Sequence, residues 1–70
     1  MLINYKSQSV NLNNVCYLYK TGFGNNYEIY FKTNDGSISF DFDTYEERDE
    51  CFDFIHSRYP SLKFKPNEKE

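Results

Sequence analysis

Seventy residues make one domain at most, and a chain this short buries only about 60% of its unfolded surface. Seven Phe and seven Tyr offset that deficit, because each ring buries roughly 150–250 Å². A net charge of −3 argues against a general nucleic-acid binder, whose affinity needs a basic surface.

The start, "MLINYKSQSVNLNNV", lacks the charged, apolar and small-residue regions of a signal peptide. No apolar run approaches the ~20 residues that span a bilayer. A cytoplasmic protein beginning at Met1 is therefore expected, with Cys16 and Cys51 both reduced. The chain has no Ala and is rich in Asn, Lys, Tyr, Phe, Ile and Asp. AT-rich codons encode that set, which points to a low-GC bacterium or one of its phages.

In chain order, one short strand is expected within residues 2–12, and "NLNN" before Val15 reads as a tight turn. "VCYLYK", residues 15–20, is the next strand. Its alternation is ambiguous, and Cys16 and Leu18 are assigned inward because Tyr tolerates a wet face better than Leu. "TGFGNN", residues 21–26, reads as a loop. "YEIYFKT" follows as a strand with Tyr27, Ile29 and Phe31 on one face and Glu28, Tyr30 and Lys32 on the other. Asn34-Asp35-Gly36 is a hairpin turn, and "SISFDFD" alternates Ile38, Phe40 and Phe42 with Ser39, Asp41 and Asp43.

Thr44 with Glu47 three residues later forms a capping box, and the acids of the first turn suit the helix dipole. Steps of 100° gather Tyr45, Cys51, Phe52, Ile55 and Tyr59 into one stripe. Pro60 ends the helix at Arg58 or Tyr59. Leu62 and Phe64 alternate with Lys63 and Lys65 in a piece that can dock on the sheet. Residues 1–65 thus form a single compact domain and 66–70 a frayed charged tail. The fold class is α+β, a small antiparallel β-meander of three to four strands with one C-terminal helix on one face. Cys16 and Cys51 would then be near neighbours in the helix–sheet interface.

The chemistry-bearing residues are few. Asp41 and Asp43 share a strand face, but strand-forming Ile and Phe stand where a calcium loop needs further ligands. No metal site and no cofactor are expected. His56 and Cys51 lie on different sides of the helix, so the pair makes a poor nucleophile and base. "TGFGNN" lacks the spacing and the Lys of a P-loop, and a domain this size leaves little room for a deep pocket of ~300 Å³ or more. The expectation is a protein that is not an enzyme.

Two surfaces remain. The sheet face opposite the helix presents Tyr17, Tyr19 and Tyr30 with Asp41 among Glu28, Lys32 and Ser39. Rigid amphipathic rings with polar neighbours are the composition of a protein-binding surface, although a solvated sheet face has a similar look. Asp43, Glu46, Glu50 and Asp53 form an acidic ridge that would attract a basic partner, or would only solvate the helix. Arg48, near the centre of the apolar stripe, either covers the core's edge and snorkels outward, pairing with Asp41 or Asp43, or anchors an interface.

The run "VNLNNV … YEIYFKTNDGSISFDFDTYEERDECFDFI" resembles small uncharacterised β-meander-plus-helix proteins of low-GC bacteria and their phages. Those share an "N-L-x-N-V" entry, a D-G turn between two alternating strands, and a helix opening "F-x-[ST]-x-E-E-R/A". The likeness covers residues 10–56 and is structural. Small acidic phage proteins are often inhibitors, so it implies a non-catalytic protein-binding module that occludes a host or defence protein. The alternative is a single-stranded nucleic-acid binder stacking bases on the tyrosine face. A third reading is a homodimer paired through a sheet edge. No membrane partner is expected.

Overall fold

The structure, a computed structural model, describes residues 2–24 and 26–66. Strands β1 (Leu2–Tyr5) and β2 (Gln8–Asn11) form a hairpin, and a single 3-10 turn (Leu12–Asn14) leads to β3 (Val15–Phe23), β4 (Asn26–Thr33) and β5 (Gly36–Phe42). Helix α1 (Tyr45–Arg58) follows. The fold is α+β: β1 and β2 make one antiparallel sheet, and β3, β4 and β5 a second in the order of the chain.

The β4–β5 hairpin follows from its turn. Thr33 pairs with Gly36 across Asn34 and Asp35, which sets Phe31 opposite Ile38 and Ile29 opposite Phe40. That register puts Ile29, Phe31, Phe40 and Phe42 on one face, where all four are buried. Phe31 and Phe40 meet at 4.9 Å between ring centroids, tilted by 60°, a favourable aromatic geometry. Leu18 from β3 and Ile55 from the helix close the core, and Ile3, Val10 and Leu12 from the N-terminal hairpin and its turn extend it.

The helix starts and stops where its local chemistry says. Thr44 Oγ1 accepts from the Glu47 amide at 3.2 Å, the first half of the expected capping box, while the Glu47 carboxylate reaches one residue past the cap and accepts from the Asp43 amide at 3.3 Å. At the other end the Tyr59 amide donates to the Ile55 carbonyl at 2.8 Å, and Pro60 follows. The chain then returns to the free edge of β3. The Leu18 amide donates to the Lys63 carbonyl at 3.1 Å and the Lys65 amide to the Leu18 carbonyl at 2.9 Å. Phe64 packs edge-on against Phe52 at 5.4 Å. The tail piece docks as expected; of the supposedly frayed segment 66–70, residues 67–70 lie outside the described residues.

Five expectations need correction. The N-terminal region holds two strands rather than one, joined at Lys6, whose φ of 54° replaces the glycine that would have advertised the turn. The expected loop over 21–26 shrinks to a tight turn at Gly24 (φ +57°), because β3 runs on to Phe23 against Asn26. A register shift between Val15 and Tyr17 bulges the strand at Cys16, so Cys16 is exposed and its thiol lies 3.3 Å from Asn34 Oδ1. It is not a neighbour of Cys51, which is half-buried on the helix. Ile38 and Tyr45 keep their predicted faces but are exposed: Ile38 lies on the edge strand β5 and Tyr45 is the first residue of the helix.

Candidate functional site

The outer face of the meander is a grid set by register. Its rows are Tyr17–Lys32–Ser37, Tyr19–Tyr30–Ser39 and Thr21–Glu28–Asp41, read from β3 across β4 to β5. From Tyr17 onward β3 alternates regularly, so Tyr17 and Tyr19 point away from the helix while Leu18 is fully buried; the bulge turns Cys16 outward and brings Val15 against the core. The expected tyrosine face therefore exists.

Its rings are ordered against one another. Tyr19 and Tyr30, directly opposite across the strands, stack at 4.9 Å and 27°. Tyr17 stacks on Tyr19 at 6.2 Å and 15° and leans on Tyr30 at 6.5 Å. Each such pair contributes about 0.5–1.5 kcal/mol beyond its area burial, and the rings are held half-buried. Sequence reasoning missed Lys65, whose ammonium sits 4.2 Å from the Tyr17 ring centroid. The tail brings it there, and only the tail's docking on β3 could have signalled it.

The acidic row was also missed as a pair. Glu28 faces Asp41 across β4 and β5. Burial, then the Asp41 charge and a hydrogen bond between the carboxyls, raise the Glu28 pKa above its usual value. Asp41 thus joins the face at one end, beside Glu28 rather than beside the rings. Counting back from the Thr33–Gly36 closure would have found this pairing.

The acidic ridge lies elsewhere. Glu46, Glu50 and Asp53 are exposed along the helix, which packs on the inner face of the sheet, so the two candidate surfaces point in opposite directions. Asp43, between them, pairs with Lys6 at 3.4 Å. Beside the helix an open groove of about 350 Å³ runs along β1, lined by Ile3, Tyr5, Glu50, Cys51 and Phe54 among others. Burial, then the neighbouring Glu47 carboxylate, push the Tyr5 hydroxyl pKa up.

Arg48 corrects two expectations at once. It is 6% exposed, so it neither snorkels to water nor anchors an interface, and it pairs with neither Asp41 nor Asp43. Its Nη1 donates to the Thr21 carbonyl at 2.9 Å and its Nε to Asp49 at 3.1 Å. Asp49 also receives Lys20 at 3.2 Å. Gly22 makes room: a Cβ there would lie 3.0 Å from Nη1. Arg48 is a clamp between helix and β3, behind the tyrosine face.

Among the described residues, no group of three or more His, Cys, Asp or Glu is placed to hold a metal ion, and no helix is long and apolar enough to cross a membrane. No protein-family model, curated protein or solved structure matches the chain.

Proposed function

We propose that the protein is a small non-catalytic protein-binding module that covers a partner's surface through its tyrosine face, as a phage-type inhibitor of a host or defence protein would. The observation that carries this reading is the stack of Tyr17, Tyr19 and Tyr30 on the sheet face opposite the helix. Rings already held by one another lose little freedom on binding, and ordering cost is a main term against association. Tyr offers a large rigid contact and a polar tip at low entropic cost. A standard interface takes ~800 Å² from each partner, against 4550 Å² for the whole chain. A partner therefore reaches past the three rings to the β5 side, where Ser37, Ser39 and Asp41 are exposed. A cytoplasmic setting agrees with two free cysteines.

The second reading, a single-stranded nucleic-acid binder, draws support from Lys32 and Lys65 beside Tyr17. Two observations weigh against it. Tyr19 and Tyr30 turn their faces to each other, so the surfaces a base would stack on are partly taken. The Glu28–Asp41 pair on the next row repels a phosphate backbone.

Tyr17→Ala with Tyr30→Ala tests the proposal. Both side chains lie outside the core, so the far-UV circular dichroism should be retained while partner affinity falls at least about tenfold, as loss of central aromatic anchors does. Retained affinity in a folded double variant would sink the tyrosine-face reading.

A further inference from the structure

The three-stranded sheet has two edges, and they are treated differently. The β3 edge is occupied by residues 63–65, bonded to both backbone groups of Leu18. On β5 the Gln8 side chain does the same for a single residue. Its Oε1 accepts from the Asp41 amide at 3.0 Å, and its Nε2 reaches the Asp41 carbonyl at 3.5 Å. This places the Asp41 backbone groups on the outward side of β5. Backbone direction alternates along an antiparallel strand, so Ser37 and Ser39 also aim their N–H and C=O outward. No other described residue takes those groups.

The open stretch therefore runs Ser37-Ile38-Ser39, with Ile38 exposed at 36%. It carries no charge, Pro or bulge, the devices that usually protect an edge. Its flanks are both acidic: Asp35 at the turn and Asp41 at the capped end, each exposed. That charge pattern selects the occupant. A second copy pairing two-fold about Ile38 would set Ser37 against Ser39, and it would also set Asp41 against Asp35 of the other copy at both ends. Like charges directly opposite are destabilising. A strand with a cation at each end meets the same two carboxylates favourably.

We infer that the β5 edge takes an extended strand of a basic partner protein, paired antiparallel with Ser37 and Ser39 and flanked by Lys or Arg that reach Asp35 and Asp41. Backbone bonds supply the attachment, and the flanking cations supply the choice of partner. The inference rests on the protein-binding reading and gives the partner's chemistry on a surface next to the tyrosine face. The Glu28–Asp41 pair adds to the negative field at that corner.

The test is an NMR titration of the full chain with two synthetic alternating Thr/Val peptides, one ending in arginine on both sides and one in glutamate. The arginine peptide should shift the Ser37 and Ser39 amides and slow their exchange with solvent. The glutamate peptide should bind roughly tenfold more weakly, two exposed ion pairs having reversed sign. Asp35→Asn with Asp41→Asn should remove that preference without unfolding the chain, and Ser39→Pro, which deletes one outward amide, should abolish the Ser37 shift. Unmoved Ser37 and Ser39 amides at millimolar peptide would overturn the inference, as would equal binding of the two peptides. So would amides already protected in the free chain with a dimer in sedimentation, since a second copy would then own the edge. Shifts confined to Tyr17, Tyr19 and Tyr30 would overturn the edge and leave the tyrosine-face reading standing. Edge binding in a chain whose partner survives Tyr17→Ala/Tyr30→Ala would do the reverse.

Discussion

Replacing Arg48 by Met keeps the buried stem and deletes the guanidinium. That group donates to the Thr21 carbonyl and to the part-exposed Asp49 carboxylate, which keeps Lys20 in the variant, so the Thr21 bond carries most of the loss. It also lies 5.8 Å from the Tyr27 ring centroid. A hydrogen bond to a charged donor is worth about 1.5–3 kcal/mol, and a cation–π contact at this range adds about 0.5 kcal/mol. Relief of the guanidinium's own desolvation offsets part of the sum, which leaves a loss of about 2 kcal/mol. Arg48→Ala also strips the stem, at ~0.8 kcal/mol per methylene, and should cost about 4 kcal/mol. Seventy residues at roughly 0.05–0.15 kcal/mol each give a total stability of about 4–10 kcal/mol, so the Ala variant sits near the threshold of folding. The assay is urea unfolding followed by far-UV circular dichroism, since the chain has no Trp. With a slope near 1 kcal/mol per molar urea, Arg48→Met should lower the midpoint by about 2 M. A shift under about 0.5 M, or a rise, would mean the guanidinium is hydrated and the clamp contributes nothing.

Three further outcomes follow from the same geometry. Thr44→Ala removes the acceptor for the Glu47 amide and should cost about 1 kcal/mol in the same denaturation assay; an unchanged midpoint would mean another group caps the helix. Cys16 is exposed and Cys51 half-buried with its pKa pushed up by burial, so a thiol reagent should label Cys16 first and Cys51 slowly, and oxidation should not link them within one chain. Equal labelling rates, or an intramolecular disulfide, would contradict the bulge at Cys16. Glu28 has a folded pKa above its unfolded value. It therefore binds its proton more tightly when folded, and stability falls as pH rises from the ordinary glutamate pKa through the raised one, then levels off. Glu28→Gln should flatten that part of the stability–pH curve and stabilise the protein at neutral pH by a few tenths of a kcal/mol. A steeper curve, or a loss at neutral pH, would show that the pair is not repulsive.

The parts of the fold visible in the sequence were those whose signal is local. Asn34 to Gly36 between two alternating runs determines the β4–β5 register, and the Thr44–Glu47 box with Pro60 delimits the helix within one residue. What stayed hidden depends on partners distant in the chain. The bulge at Cys16 leaves no mark in composition, and it turns Cys16 to the surface and Val15 toward the core. Lys6 makes a turn in a conformation normally left to glycine, so the N-terminal hairpin looked like one strand. Gly22 read as loop punctuation, but a glycine inside a strand also marks a close approach. Here the approaching group is Arg48, whose burial could not be seen without knowing that β3 passes beneath the helix's first turns. The tyrosine face was legible because Tyr30 is fixed by the secure hairpin. Its stacking, and the arrival of Lys65, were not.

The central claim is that ordered tyrosines on the outer sheet face hold a protein. The most direct measurement is affinity capture with the tagged chain from a low-GC bacterial lysate, run with and without nuclease and beside the folded Tyr17→Ala/Tyr30→Ala variant. The account predicts a discrete protein that survives nuclease and is lost from the variant. Nucleic acid in the untreated sample with nothing left after nuclease, or a protein captured equally by the variant, would contradict it.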